Sequence, residues 1–281
     1  MFVSRTRHRL ASSFRSAHML RMDRPLEDDE IMKVAPSIFA NEAHQSRSSR
    51  YAYIPTGDVL KGLRNEGFLP FMVCQTRTRK EDRHEFTKHM IRLRPASQIN
   101  QQEANEIILL NSHDGSSSYH MMSGCFRFVC ANGLVIGDTT GDVRVRHSGD
   151  VRHNVIEGAF EVLKSFDSVN EQREGMKALQ LSHDERQIFA EAALVARYEP
   201  GEHVPIRQDQ LLMPGRVEDQ GRDLWTTFNV IQENVIRGGL RGRNQKNRPT
   251  TTRPITGMDQ DTKINRALWL LAERMRELRA A

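Results

Sequence analysis

The run Pro70-Phe71-Met72-Val73-Cys74-Gln75-Thr76-Arg77-Thr78-Arg79, a charged turn at Lys80-Glu81-Asp82-Arg83, and the returning run Glu85-Phe86-Thr87-Lys88-His89-Met90-Ile91-Arg92-Leu93-Arg94 decide the fold class. Two strand-like runs joined by a short polar turn form an antiparallel hairpin. In the second run Ile91 and Leu93 share one face and Arg92 and Arg94 the other, the period of two expected of a half-buried strand. Upstream, Ser49-Arg50-Tyr51-Ala52-Tyr53-Ile54-Pro55-Thr56 leads into a helical stretch from Val59 to Phe68. A helix followed by basic antiparallel strands offers a surface that can lie along a phosphate backbone, with no evident pocket for a small-molecule substrate.

Working outward, more strands follow. Glu106 to Asn111 reads as a strand, Ser112-His113-Asp114-Gly115-Ser116-Ser117 as a turn, and Ser118 to Ser123 as its return, Asp-Gly supplying residues that tolerate positive φ. Cys125 to Cys130, Leu134 to Ile136 and Val143 to His147 continue the sheet, and Val151 to Phe166 is a long helix with apolar residues at helical spacing. Residues 171–198, 224–236 and 263–279 read as further helices. Residues 1–25 read as a basic arm of weak helical character, and the Glu27-Asp28-Asp29-Glu30 cluster as the acidic start of a helix running to Ala40.

The expected class is therefore α+β: an antiparallel sheet of β-hairpins flanked by helices, followed by a mainly helical C-terminal part. Three regions are expected: a basic arm with a short helix over residues 1–48, a helix–sheet–helix core over 49–168, and a helical region over 169–281 with a basic loop at 237–257.

The chain has 281 residues, 38% hydrophobic and 27% charged, as expected of a soluble protein able to bury a core without disulfides or metals. Its formal charge of +5 and clustered arginines suit a polyanion partner. Cys74, Cys125 and Cys130 are too few for a disulfide framework and fit a reducing compartment; Cys125 and Cys130, five apart in one strand-like run, point to opposite faces and do not share a metal. No run approaches about 20 apolar residues, so no membrane span is expected. The arm carries Arg5, Arg7, Arg9, Arg15 and Arg21 and lacks an apolar signal core; its composition suits an organellar presequence or a phosphate-contacting arm.

The candidate nucleic-acid contacts fall into two groups. Arg77, Arg79, Arg92, Arg94, Arg127, Arg144 and Arg146 would neutralise phosphates along a sheet face, with Tyr51, Tyr53 and Phe126 stacking on bases. Arg237, Arg241, Arg243, Lys246 and Arg248, in a stretch without an acid up to Gly257, would close over the strand as a flexible clamp. The bland alternatives are a solvated loop and a sheet whose arginines discourage edge pairing. His113, Asp114, Asp142 and His147 are the residues a metal-dependent nuclease would use, although turns favour Asp for local backbone bonding anyway. His84 and His89 are five apart, not the four a helical zinc-protease pair needs. No phosphate-cradling G-x-x-x-x-G-K-[ST] loop, dinucleotide fingerprint or nucleophile elbow occurs, so action on DNA is expected without ATP and no cofactor is expected.

The segments Asn111 to Ser117, Phe126 to Leu134, Val145-Arg146-His147, Asp223 to Asn229, Arg237-Gly238-Gly239 and Asn265 to Trp269 resemble an uncharacterised prophage- and plasmid-borne family of the YafZ/YfjQ type, over about residues 20 to 278. The resemblance implies a bacterial cytoplasm and a mobile-element context, with no established activity. Tyr51 to Pro55, Val59, Leu60, Leu63 and Gly67-Phe68, followed by the basic hairpin, are similar to the entry helix of Erf-type and RecT-type annealing proteins, although this chain has more strands than their β-β-β-α core. That resemblance implies single-stranded-DNA binding with assembly into homo-oligomeric rings or filaments. The third expectation is a protein-interaction accessory factor in anti-restriction or replication, docking a partner helix on the C-terminal apolar stripe of Ile264, Leu268, Leu271, Met275 and Leu278.

Overall fold

The computed structural model describes residues 17–98, 101, 103–127, 132–135, 142–145 and 151–280. These divide into two compact units. One comprises the described residues within Phe14–Cys125 and Val135–Asn170, the other those within Phe126–Leu134 and Glu171–Ala281.

The first unit is built on antiparallel strands β1 (Ala17–Arg21), β2 (Phe68–Thr76), β3 (His89–Pro95), β4 (Glu103–Asn111) and β5 (Tyr119–Arg127), side by side in that order. Strand β7 (Asp142–Val145) also neighbours β5, whose last two residues, with most of the next neighbour β6 (Asn132–Val135), are counted in the second unit. β2 and β3 pair from Phe68↔Pro95 to Gln75↔His89, with an irregularity between Pro70 and Met72. Pro70 brings no N–H to the ladder, and the strand shifts register beside it.

Three helices cover one face: α1 (Asp28–Val34), α2 (Thr56–Asn65) and α3 (Val151–Ala178), whose first part belongs to this unit. The core joins Val73, Ile91, Leu93, Ile107, Leu109, Tyr119 and Met121 of the sheet to Ile31, Leu60, Leu63, Val155, Val162 and Phe166 of the helices. The acidic cluster does start α1, where the Glu30 carboxylate accepts the Glu27 backbone N–H at 3.0 Å.

Four expectations are corrected here. The end of the basic arm, expected to be weakly helical, is strand β1, paired with β2 from Ala17↔Thr76 to Arg21↔Met72. The helix expected from Asp28 to Ala40 ends at Val34 and gives way to a 3-10 turn over Pro36–Phe39, because proline cannot extend the ladder. The two strands expected around Ser123 and Cys125 are the single strand β5. The sheet is not half-solvated: on the face opposite the helical core, Met72, Cys74, Met90, Arg92, Arg94, Glu106, Ile108 and Leu110 are all buried.

The second unit contains the end of α3 with α4 (His183–Arg197), α5 (Gln208–Leu211), α6 (Leu224–Arg237), α7 (Met258–Ala280) and a ribbon of β8 (Arg241–Arg243) and β9 (Pro249–Thr251). Ser182 caps α4 through a capping box with Glu185, and Asp223 caps α6 by accepting the Thr226 N–H at 2.8 Å. Trp225 and Phe228 stack near-parallel at 5.6 Å and meet Trp269 of α7 edge-on. Among the described residues no helix is long and apolar enough to cross a membrane.

Candidate nucleic-acid interface

The arginines placed on the sheet face by their alternation separate into distinct environments. Arg77 and Arg79, just beyond β2, are exposed. Arg92 and Arg94 face the interior: Arg92 Nε donates to Glu106 Oε2 at 2.7 Å and Arg94 Nε to Oε1 at 2.8 Å, with Glu106 fully buried. Arg94 also lies over the Phe71 ring, 4.6 Å from its centroid. Burial lowers the Arg94 pKa, opposed by Glu106. Burial, then the field of Arg94, brings Arg21 down to about 10. The Arg92 and Arg94 guanidinium groups bind a carboxylate of their own sheet and are buried, so they present no surface for DNA. The alternation in the sequence marked a real face of the strand, but one turned inward.

Arg127 is tied down as well. Its Nη1 donates to Asp219 Oδ1 at 2.6 Å, in a network where Arg216 donates to Asp219 Oδ2 at 2.7 Å and to both Glu233 oxygens. Arg237 closes the network through Glu233 Oε1 at 2.6 Å. Arg144 is exposed on β7; the Phe126 side chain, and Arg146, His147 and Cys130, lie outside the described residues.

The tyrosines are half-buried and bonded. Tyr51 donates its hydroxyl to the Ser112 carbonyl at 2.9 Å and Tyr53 to the Ala40 carbonyl; the Tyr53 ring packs 5.0 Å from that of His113. Burial raises both phenol pKa values, that of Tyr53 to about 12.

Beneath them runs a polar chain that sequence reasoning missed. His89, fully buried, has Nδ1 2.8 Å from Ser37 Oγ and Nε2 3.0 Å from Thr56 Oγ1. The Ser37 hydroxyl donates to Gln75 Oε1 at 2.7 Å, and Asn111 Nδ2 donates to Thr56 Oγ1 at 2.9 Å. The network therefore assigns the proton to Nδ1 and leaves Nε2 to accept from Thr56. A neutral imidazole matches both of its ring partners, Ser37 and Thr56, and desolvation, then the neighbouring His113, holds the His89 pKa well below the usual value. Its only sequence signal was polar residues at strand positions where apolar ones were expected.

The Asn111–Ser117 motif resolves into turn chemistry. Asp114 Oδ1 accepts the Ser116 N–H at 2.9 Å, Ser112 Oγ accepts the Ser117 N–H at 2.9 Å, and Gly115 sits at φ +74°. His113 is fully buried and Asp114 nearly so. Among the described residues no group of three or more His, Cys, Asp or Glu could hold a metal ion.

The basic segment at 237–257, expected as a flexible loop, is instead a closed hairpin. β8 and β9 pair Arg241↔Thr251, Gly242↔Thr250 and Arg243↔Pro249. Gly238 turns the chain out of α6 at φ +64°, where a side chain would strike Arg253 and Pro254. The tip is folded on Asn244, whose Oδ1 accepts the N–H groups of Lys246 and Arg248, each at 3.0 Å. Arg241, Arg243, Lys246, Arg248 and Arg253 are exposed. With Arg241 and Arg243 two residues apart on one strand, both side chains project from the same face.

The chain belongs to a family whose members share a domain of unknown function (DUF932), matched over residues 43–269. Among its relatives are the UPF0380 proteins YafZ and YfjQ of Escherichia coli (strain K12). Each is 53% identical over 266 residues, covering 94% of this chain and 97% of the relative. No solved structure matches the chain.

Proposed function

We propose that this chain is an ATP-independent DNA-binding protein that takes single-stranded DNA, in the service of annealing or recombination, with the β8–β9 hairpin as its principal phosphate-contacting element. The observation that carries this reading is the concentration of exposed cations on that ribbon. Arg241, Arg243, Lys246 and Arg248 stand on an ordered backbone, and no acid interrupts the sequence from Arg237 to Gly257. Guanidinium groups fork onto phosphate oxygens, and a ribbon of this size can follow a flexible strand. The turn after β2 is a weaker candidate: exposed Arg77, Arg79 and Lys80 are followed at once by Glu81, Asp82 and Glu85.

Base stacking by Tyr51 and Tyr53 is not part of this reading, since both hydroxyls are held by backbone carbonyls. Contact is with phosphate, so affinity falls with salt as counterions are displaced. The experiment is a titration of a labelled oligonucleotide at several salt concentrations. Undetectable or salt-insensitive binding defeats the proposal. Annealing further requires self-assembly, and particle images with and without DNA test it: rings or filaments support annealing, monomers contradict it.

A further inference from the structure

The β8 strand is hydrogen-bonded on both edges. One edge pairs with β9. On the other, the Arg243 N–H donates to the Pro205 carbonyl at 2.9 Å, His203 Nε2 lies 2.8 Å from the Arg243 carbonyl, and Gln210 Nε2 donates to the Arg241 carbonyl at 2.8 Å. The segment 203–210 thus lies along the ribbon like a third strand, though most of its bonds come from side chains. Between the two bonded arginines stands Gly242. A β-carbon there would overlap the Pro205 carbonyl oxygen, lie 2.7 Å from its carbon and reach 3.0 Å from Ile206 Cγ2. Contacts under 3 Å with backbone force a displacement, so this close approach requires glycine.

The consequence concerns where the charges go. A two-stranded ribbon with three-residue strands is marginal alone in water. Docked by its outer edge and its glycine, it holds Arg241 and Arg243 on the remaining face at a fixed spacing of about 6.8 Å along the strand. We infer that the 203–210 segment is a strap that pre-organises the hairpin, and that Gly242 and Gln210 are positioning residues for DNA affinity although neither contacts DNA. This rests on the hairpin being the DNA-contacting element. Ordering the arginines before binding removes part of the entropy cost that a flexible clamp would meet on association.

The test uses the full chain and two readouts. The first is limited trypsin digestion, which cuts after the hairpin's own Arg and Lys residues and reports its order without DNA. The second is the salt-dependent titration of a labelled single-stranded oligonucleotide. Gly242→Ala is expected to speed hairpin cleavage about tenfold and weaken DNA binding about tenfold. Gln210→Ala, which removes the bond to the Arg241 carbonyl together with the acceptor of the Arg207 N–H at 3.0 Å but places no new atom against β8, is expected to shift both in the same direction by about threefold. Faster cleavage with unchanged affinity would overturn the inference, as would no change in either readout. If the unsubstituted protein fails to bind, the functional reading itself falls, an outcome distinct from binding that ignores these two substitutions.

Discussion

Replacing Glu106 with Gln removes the carboxylate that holds two buried arginines, and its cost follows from the geometry. Glu106 is fully buried, with Arg92 Nε at 2.7 Å and Arg94 Nε at 2.8 Å. Charge centres about 4 Å apart at an effective dielectric of about 20 attract by about 4 kcal/mol per pair, so two pairs give about 8 kcal/mol before desolvation. Desolvation of each ion offsets several kcal/mol, and the net loss on removing one partner of such a cluster is about 3–5 kcal/mol. The amide keeps the shape and one acceptor oxygen, so the change is electrostatic rather than a cavity. At about 2–4 °C per kcal/mol for a chain of this size, the melting temperature should fall by about 6–20 °C. Thermal unfolding followed by circular dichroism measures this, and the salt dependence of DNA binding should be unchanged in the same variant. A melting temperature within about 1 °C of the parent would refute the reasoning, because it would mean the paired carboxylate is not what makes these buried guanidinium groups tolerable.

Acid should destabilise the first unit through His89. Its folded pKa is depressed, so below the unfolded value of about 6.5 the unfolded chain takes up a proton that the folded chain refuses, and stability declines by up to about 1.4 kcal/mol per pH unit. Above about pH 6.5 this group contributes no slope; chemical denaturation between pH 5 and 8 should show that break, and His89→Gln should remove it. Asp223→Ala takes away the cap on α6 and should cost about 1 kcal/mol in the second unit, read as a drop of about 2–4 °C in thermal unfolding.

Local chemistry was legible in the sequence, and distant partners were not. The alternation in β3 and the Asp114-Gly115 turn located the strands, because strand period and turn residues act over a few positions. The same alternation misassigned Arg92 and Arg94, since period two separates two faces without saying which is wet. Their partner Glu106 belongs to the adjacent strand, and Asp219, which holds Arg127, lies 92 residues away in sequence. β1 was missed because its five residues sit at the end of a basic arm and owe their conformation to pairing with β2. The hairpin at 241–251 was read as a loop because Gly, Asn and Pro are poor strand formers; its order comes from Asn244 at the tip and the strap along β8. The segment Asn111–Ser117 was visible as a turn, whereas the buried polar chain around His89 draws on Ser37, Thr56, Gln75 and Asn111 and exists only after folding.

The most direct measurement is the salt dependence of binding to a labelled single-stranded oligonucleotide by the parent chain and by the Arg241→Ala/Arg243→Ala variant. Four phosphate contacts from Arg241, Arg243, Lys246 and Arg248 predict a log–log slope of about −2.8, a loss of about 50-fold in affinity between 50 and 200 mM salt, and a slope of about −1.4 in the variant. An identical slope in the two proteins, or no binding by the parent at low salt, would contradict the assignment of the hairpin as the DNA-contacting element.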